Sequence, residues 1–155
     1  MIQRIQSFYL SLITLLTLLF FRGGFLNFAD KAGEVIKVTF TGIFRESAGN
    51  SLELIENLIP FSVLIVLIPV ISLLTIFFFK NRKIQLRFSL FLIILAATLI
   101  IALIHVSFSI ISKFEAKINP GFKMILPVLI LILSILAYRG IKKDDQLVKS
   151  YDRLR

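Results

Sequence analysis

Apolar residues fall in four long stretches free of internal charge: Ile5 to Phe21, Ile59 to Phe79, Phe88 to Ile111, and Gly121 to Tyr138, the last with Lys123 in its first turn. A bilayer core of about 30 Å takes roughly 20 apolar residues in a helix, and only helices or closed barrels satisfy the backbone in lipid. Runs of this length without strand alternation predict helices. The expected fold is an all-α integral membrane protein, a single membrane domain over residues 1–155. It is built on a four-transmembrane-helix bundle with helices near 5–21, 59–79, 88–111 and 121–138. Asn119 and Pro120 read as the N-cap and first residue of the fourth helix. The first stretch is read as retained rather than as a signal peptide. Its 17 residues are long for a signal core, and Phe21-Arg22-Gly23-Gly24-Phe25 offers no small-x-small cleavage pattern.

Period-2 alternation appears once outside the spans, in Ile36-Lys37-Val38-Thr39-Phe40-Thr41, with Phe25-Leu26-Asn27-Phe28 as its candidate partner and residues 29–33 as the turn. A small β-hairpin in the extracytoplasmic loop 22–58 is expected. After it, Asn50 and Glu53 resemble a capping box, and Leu52, Ile55 and Leu58 continue at helical spacing. Helix 2 is therefore expected to begin near Ser51.

Composition agrees with a membrane chain: 57% of residues are hydrophobic and 17% charged, and there is no cysteine to support a disulfide scaffold. The net charge of +9 raises nucleic acid as a partner, but the basic residues are asymmetrically placed. The N-terminal flank, the 80–87 link and the tail 139–155 hold 11 Lys and Arg, against 7 in the other two connections. The positive-inside rule then puts both termini and the 80–87 link in the cytoplasm. Beyond charge nothing favours nucleic acid, and none is expected as a partner.

Polar residues within spans are few. Thr98, Ala102, His105, Ser109 and Ser112 follow one another at spacings of 4, 3, 4 and 3, one stripe of the third helix. Small and weakly polar residues on one stripe are how membrane helices approach, so Thr98, His105, Ser109 and Ser112 are assigned to helix packing. His105 is the one ionisable residue deep in a span, which makes it a functional candidate by default. A metal or haem site would want further His or Cys, and a proton or sodium path would want a carboxylate. No phosphate loop, zinc-protease helix or nucleophile elbow is present, so no catalytic, cofactor-binding or metal-binding residue is assigned.

The tail carries Ile141, Leu147, Val148, Tyr151 and Leu154 among basic residues, the pattern of an amphipathic cytoplasmic C-terminal helix that lies on an anionic leaflet or docks a partner. Candidate contacts with partner or lipid are Arg4, Lys80, Arg82, Lys83, Arg87, Lys142, Lys143, Lys149, Asp152, Arg153 and Arg155.

Three segments carry a resemblance: Met1-Ile2-Gln3-Arg4-Ile5-Gln6-Ser7, Phe79-Lys80-Asn81-Arg82-Lys83-Ile84-Gln85-Leu86-Arg87, and Arg139 to Asp144 with Leu147, Val148, Ser150 and Asp152-Arg153-Leu154-Arg155. Together they resemble a Bacteroidota family of small four-span membrane proteins known as a domain of unknown function. The resemblance implies a bacterial inner membrane and supplies no activity. The layout is also similar to claudin-like tetraspan proteins, a fold analogy that licenses no function. Two functions stay open. One is a non-catalytic accessory or scaffold subunit that contacts other inner-membrane proteins and anionic lipid at its cytoplasmic face. The other is a small homo-oligomeric transporter or channel with a polar path along helix 3.

Overall fold

The structure is a computed structural model, and it describes residues 3–30, 34–46 and 52–153. Four α-helices, α1 (Gln3–Leu18), α2 (Ile59–Phe77), α3 (Arg82–Phe114) and α4 (Leu126–Arg153), stand side by side, each packed on two others in the cyclic order α1, α2, α3, α4. A single antiparallel sheet caps one end. It is formed by β1 (Leu26–Ala29), β2 (Val35–Val38), β3 (Gly42–Glu46), β4 (Leu52–Asn57) and β5 (Lys117–Asn119), in the order β4-β3-β2-β1-β5.

This corrects the expected architecture in two ways. Among the described residues three helical segments, Ile59–Phe77, Arg82–Phe114 and Phe122–Val148, are long and apolar enough to cross a membrane, not four. The chain is accordingly a membrane protein, but α1 holds only 16 residues, about 24 Å at 1.5 Å per residue, before tightening into a 3-10 turn at Leu19–Phe21. The second correction is the sheet. The expected hairpin exists as the β1–β2 pair, with Leu26 opposite Val38 and Phe28 opposite Ile36, but it is the centre of a five-stranded sheet rather than an isolated ribbon.

The added strands explain two misread boundaries. Residues 52–57, read as the start of helix 2, form β4 paired with β3, and α2 begins at Ile59 with Pro60 in its first turn. The proposed Asn50 cap lies outside the described residues. Asn119, read as a helix cap, sits in β5 opposite Asn27 of β1, so the chain passes through a 3-10 turn at Phe122–Ile125 before α4. The 80–87 link is also mostly helix: only Asn81 separates the turn at Phe78–Lys80 from α3. α4 runs unbroken from Leu126 to Arg153, so the described part of the tail continues that helix rather than forming a separate one.

Two glycines make the turns possible. Gly23 takes φ of +65° where the chain leaves the first helix for β1, a backbone region that L side chains avoid. At Gly42, a Cβ would sit 2.5 Å from the main-chain oxygen of Glu56, so β4 can approach β3 only because no side chain intervenes. Thr39 closes the turn before it, its N–H donating to the Gly42 carbonyl at 2.8 Å.

The core is continuous from bundle to sheet. Leu10, Ile13, Ile65, Ile68, Leu92, Leu99 and Ile130 fill the bundle; Phe28, Ile36 and Val38 face it from the sheet. Phe20, Phe25 and Phe61 join the two, with the Phe25 and Phe61 rings stacked at 5.2 Å. Buried hydroxyls are satisfied within the bundle: Thr17 donates to Ile13 O and Ser134 to Ile130 O, while Ser72 donates to Leu10 O at 2.7 Å and so ties α2 to α1.

Candidate functional site

The end of the bundle opposite the sheet gathers the start of α1, the α2–α3 junction and the last third of α4. Here Gln6 of α1 and Asp144 of α4, 3% and 8% exposed, meet in a hydrogen bond of 2.6 Å from Gln6 Nε2 to Asp144 Oδ2. Arg82, in the first turn of α3, donates from Nη1 to the main-chain oxygen of Asp144 at 2.7 Å. One turn along α3, buried Gln85 donates to the Thr75 carbonyl of α2 at 3.2 Å. Each of the four helices therefore contributes a polar group to two linked ties. Gly140 lies one turn before Asp144 on α4 and faces the same neighbour; a Cβ there would come 2.9 Å from Gln6 Cγ. The small residue lets α1 and α4 approach closely enough for the bond to form.

Around this buried cluster the basic side chains point outward. Lys83 and Arg87, one turn apart on α3, are exposed, as are Arg139, Lys142 and Lys143 on α4. Arg82 differs from Lys83, Arg87, Lys142 and Lys143, being half-buried and committed to Asp144. For Arg4, Lys80, Lys149, Asp152 and Arg153 the backbone alone is described, and Arg155 lies outside the described residues. Ile141 of the expected tail stripe is buried in the bundle, whereas Leu147 and Val148 are exposed.

The helix-packing stripe falls elsewhere than expected. Thr98, His105 and Ser112 are exposed on α3 and Ser109 is half-buried, whereas Leu92, Leu95, Ala96, Leu99, Val106 and Ile110 make the buried face. Within the single chain, then, Thr98, His105 and Ser112 lie outside the buried face of α3. The large aliphatic residues of the buried face supply the van der Waals packing of the bundle, and Thr98 satisfies its hydroxyl locally on Ile94 O at 2.9 Å. Among the described residues no three His, Asp or Glu side chains converge as metal ligands would.

Gln6, Gln85, Gly140 and Asp144 were missed as a group by reading the sequence, although all four stand within the three motif segments. The available signal was a carboxylate pair and two amides at the margins of apolar helices. Chemically the cluster holds no nucleophile; it is a set of interhelical hydrogen bonds around one buried carboxylate.

A family model matches residues 2–154, which includes every helix and strand described above. The chain belongs to that family, described as Domain of unknown function (DUF4293). Neither the curated proteins nor the solved structures contain a match. In this DUF4293 protein the three motif segments of the sequence converge in space: two of them supply Gln6 and Asp144, and the third supplies Arg82 and Gln85.

Proposed function

We propose that this DUF4293 protein is a non-catalytic accessory or scaffold subunit of a larger inner-membrane assembly. Its basic end faces the cytoplasm and contacts anionic lipid and a partner protein. The observation that carries the reading is the pairing of a locked interior with a charged exterior. The Gln6, Arg82 and Asp144 tie holds three helices at the end where Lys83, Arg87, Lys142 and Lys143 are displayed. Helix backbones tied in this way lose little further freedom when the side chains they carry dock, which favours a binding role. Orientation follows from the same residues through the positive-inside rule.

The test is purification of the full chain in mild detergent, with mass spectrometry of what co-elutes, beside a variant carrying Lys83→Glu, Arg87→Glu, Lys142→Glu and Lys143→Glu. Stoichiometric co-elution of a larger complex with the native chain, lost in the variant, is the expected result. A homo-oligomer alone, unchanged by the charge reversal, overturns the scaffold reading in favour of a transporter. A path along Thr98, His105 and Ser112 could form only between copies, since those side chains lie on the outer face of α3.

A further inference from the structure

At the other end of the bundle, beneath the sheet, a pocket of about 370 Å³ opens between α3 and α4. Apolar side chains, among them Phe25, Leu103, Ile104, Phe108, Pro127 and Val128, form most of its wall. Ser107 also reaches it, but its hydroxyl is satisfied by the Leu103 carbonyl at 2.8 Å. Apart from Lys123 and this hydroxyl the lining side chains are apolar, so the space suits an apolar ligand better than water. The volume falls in the usual range for small-ligand sites, about 300–1,000 Å³.

One cation stands at the pocket. Lys123, in the 3-10 turn that precedes α4, lines it and donates its ammonium to the main-chain oxygens of Arg22 and Gly24. Carbonyls fix the position of an ammonium without cancelling its charge. Among the described residues no carboxylate pairs with it.

The dimensions select the occupant. Along α3 the pocket wall extends from Ile100 to Ile111, about 16 Å of helix at 1.5 Å per residue. That is close to half of a ~30 Å bilayer core, the depth of one leaflet. The opening lies on two of the helices that cross the membrane, where the surrounding medium is acyl chain. We infer that this pocket binds an anionic phospholipid of the sheet-side leaflet, one acyl chain lying between α3 and α4 and the phosphate placed at Lys123. The inference rests on membrane embedding and not on the scaffold role, because the pocket is at the opposite end from the basic surface.

The chain contains no tryptophan, so a single substitution gives an unambiguous fluorescent reporter. The full-length protein carrying Phe108→Trp is reconstituted into phosphatidylcholine vesicles containing an equal small fraction of chain-brominated phosphatidylglycerol or chain-brominated phosphatidylcholine. Val66→Trp, exposed on α2 away from the pocket, reports ordinary boundary lipid. At Phe108→Trp the brominated phosphatidylglycerol should show about fivefold the effective binding of the phosphatidylcholine, the scale of one basic residue near an anionic headgroup. At Val66→Trp the two should be equal. Adding Lys123→Gln should bring the Phe108→Trp ratio to one, and the ratio within one sample is insensitive to the yield of folded protein. An Ile104→Trp reporter, also on the pocket wall, should repeat the pattern and guards against a local effect of the indole at 108. Equal quenching by both lipids at both pocket reporters, or a preference that survives Lys123→Gln, overturns the assignment. So does a brominated fatty acid that displaces phosphatidylglycerol at equal concentration, which would mark the pocket as a carboxylate site.

Discussion

Gln6 and Asp144 lie 138 positions apart in the chain and 2.6 Å apart in the fold, a buried amide donating to a buried carboxylate. In a membrane bundle, helix association gains little from hydrophobic burial alone, so a satisfied polar contact has more influence on which helices pair. Gln6→Leu should lower the thermal or denaturant stability of the purified protein by about 1.5–3 kcal/mol, the scale for losing a hydrogen bond to a charged group. The double variant Gln6→Leu with Asp144→Leu should be less destabilised than the sum of the singles, because the second change removes the stranded partner. Strict additivity would show that the two side chains do not interact.

Gly140 should respond to substitution according to what stands at position 6. Alanine gains about 1 kcal/mol of helix propensity over glycine but meets Gln6 Cγ at 2.9 Å. With Gln6 present the two effects oppose one another, so Gly140→Ala should change stability little. In a Gln6→Ala background the clash is gone, and Gly140→Ala should stabilise by about 1 kcal/mol. Thermal melts of the four combinations decide it.

Gly42→Ala differs in kind. The atom a Cβ would meet, Glu56 O at 2.5 Å, belongs to the backbone and cannot rotate away. The β3–β4 pairing must shift, at a cost of about 1–3 kcal/mol for forced overpacking. Hydrogen exchange should show lost protection in residues 42–46 and 52–57 with the helices unaffected.

Orientation can be read with reporters. A reporter active only outside the cytoplasm should give signal when fused after Glu46, on the sheet side, and none when fused after Arg87 or at the C-terminus. The reverse pattern would place the basic end outside, against the positive-inside rule.

Much of the helical framework was legible because lipid-compatible helices declare themselves by length and apolarity, as α2, α3 and α4 do. The β1–β2 hairpin was legible too, since Ile36-Lys37-Val38 alternates and its partner lies close in sequence. β4 was not, because Leu52, Ile55 and Leu58 stand at helical spacing, and all six of its residues are exposed at the sheet edge, so no buried face marks a strand. β5 was hidden for another reason: three residues carry no periodicity, and their partner Asn27 is about ninety positions away.

The functional features divide in the same way. The chain's own residues determined that it is a membrane protein with an excess of Lys and Arg in the segments that form one end, since hydropathy and charge are properties of each residue where it stands. They could not determine that Asp144 turns inward to Gln6 while neighbouring Lys142 and Lys143 face out. Nor could they show that Thr98 and His105 lie outside the bundle, or that Lys123 closes on the carbonyls of Arg22 and Gly24 beside an apolar pocket. Those facts depend on which face of each helix meets which neighbour. That choice is made by packing and hydrogen bonding between segments distant in sequence, and only the tertiary structure decides it.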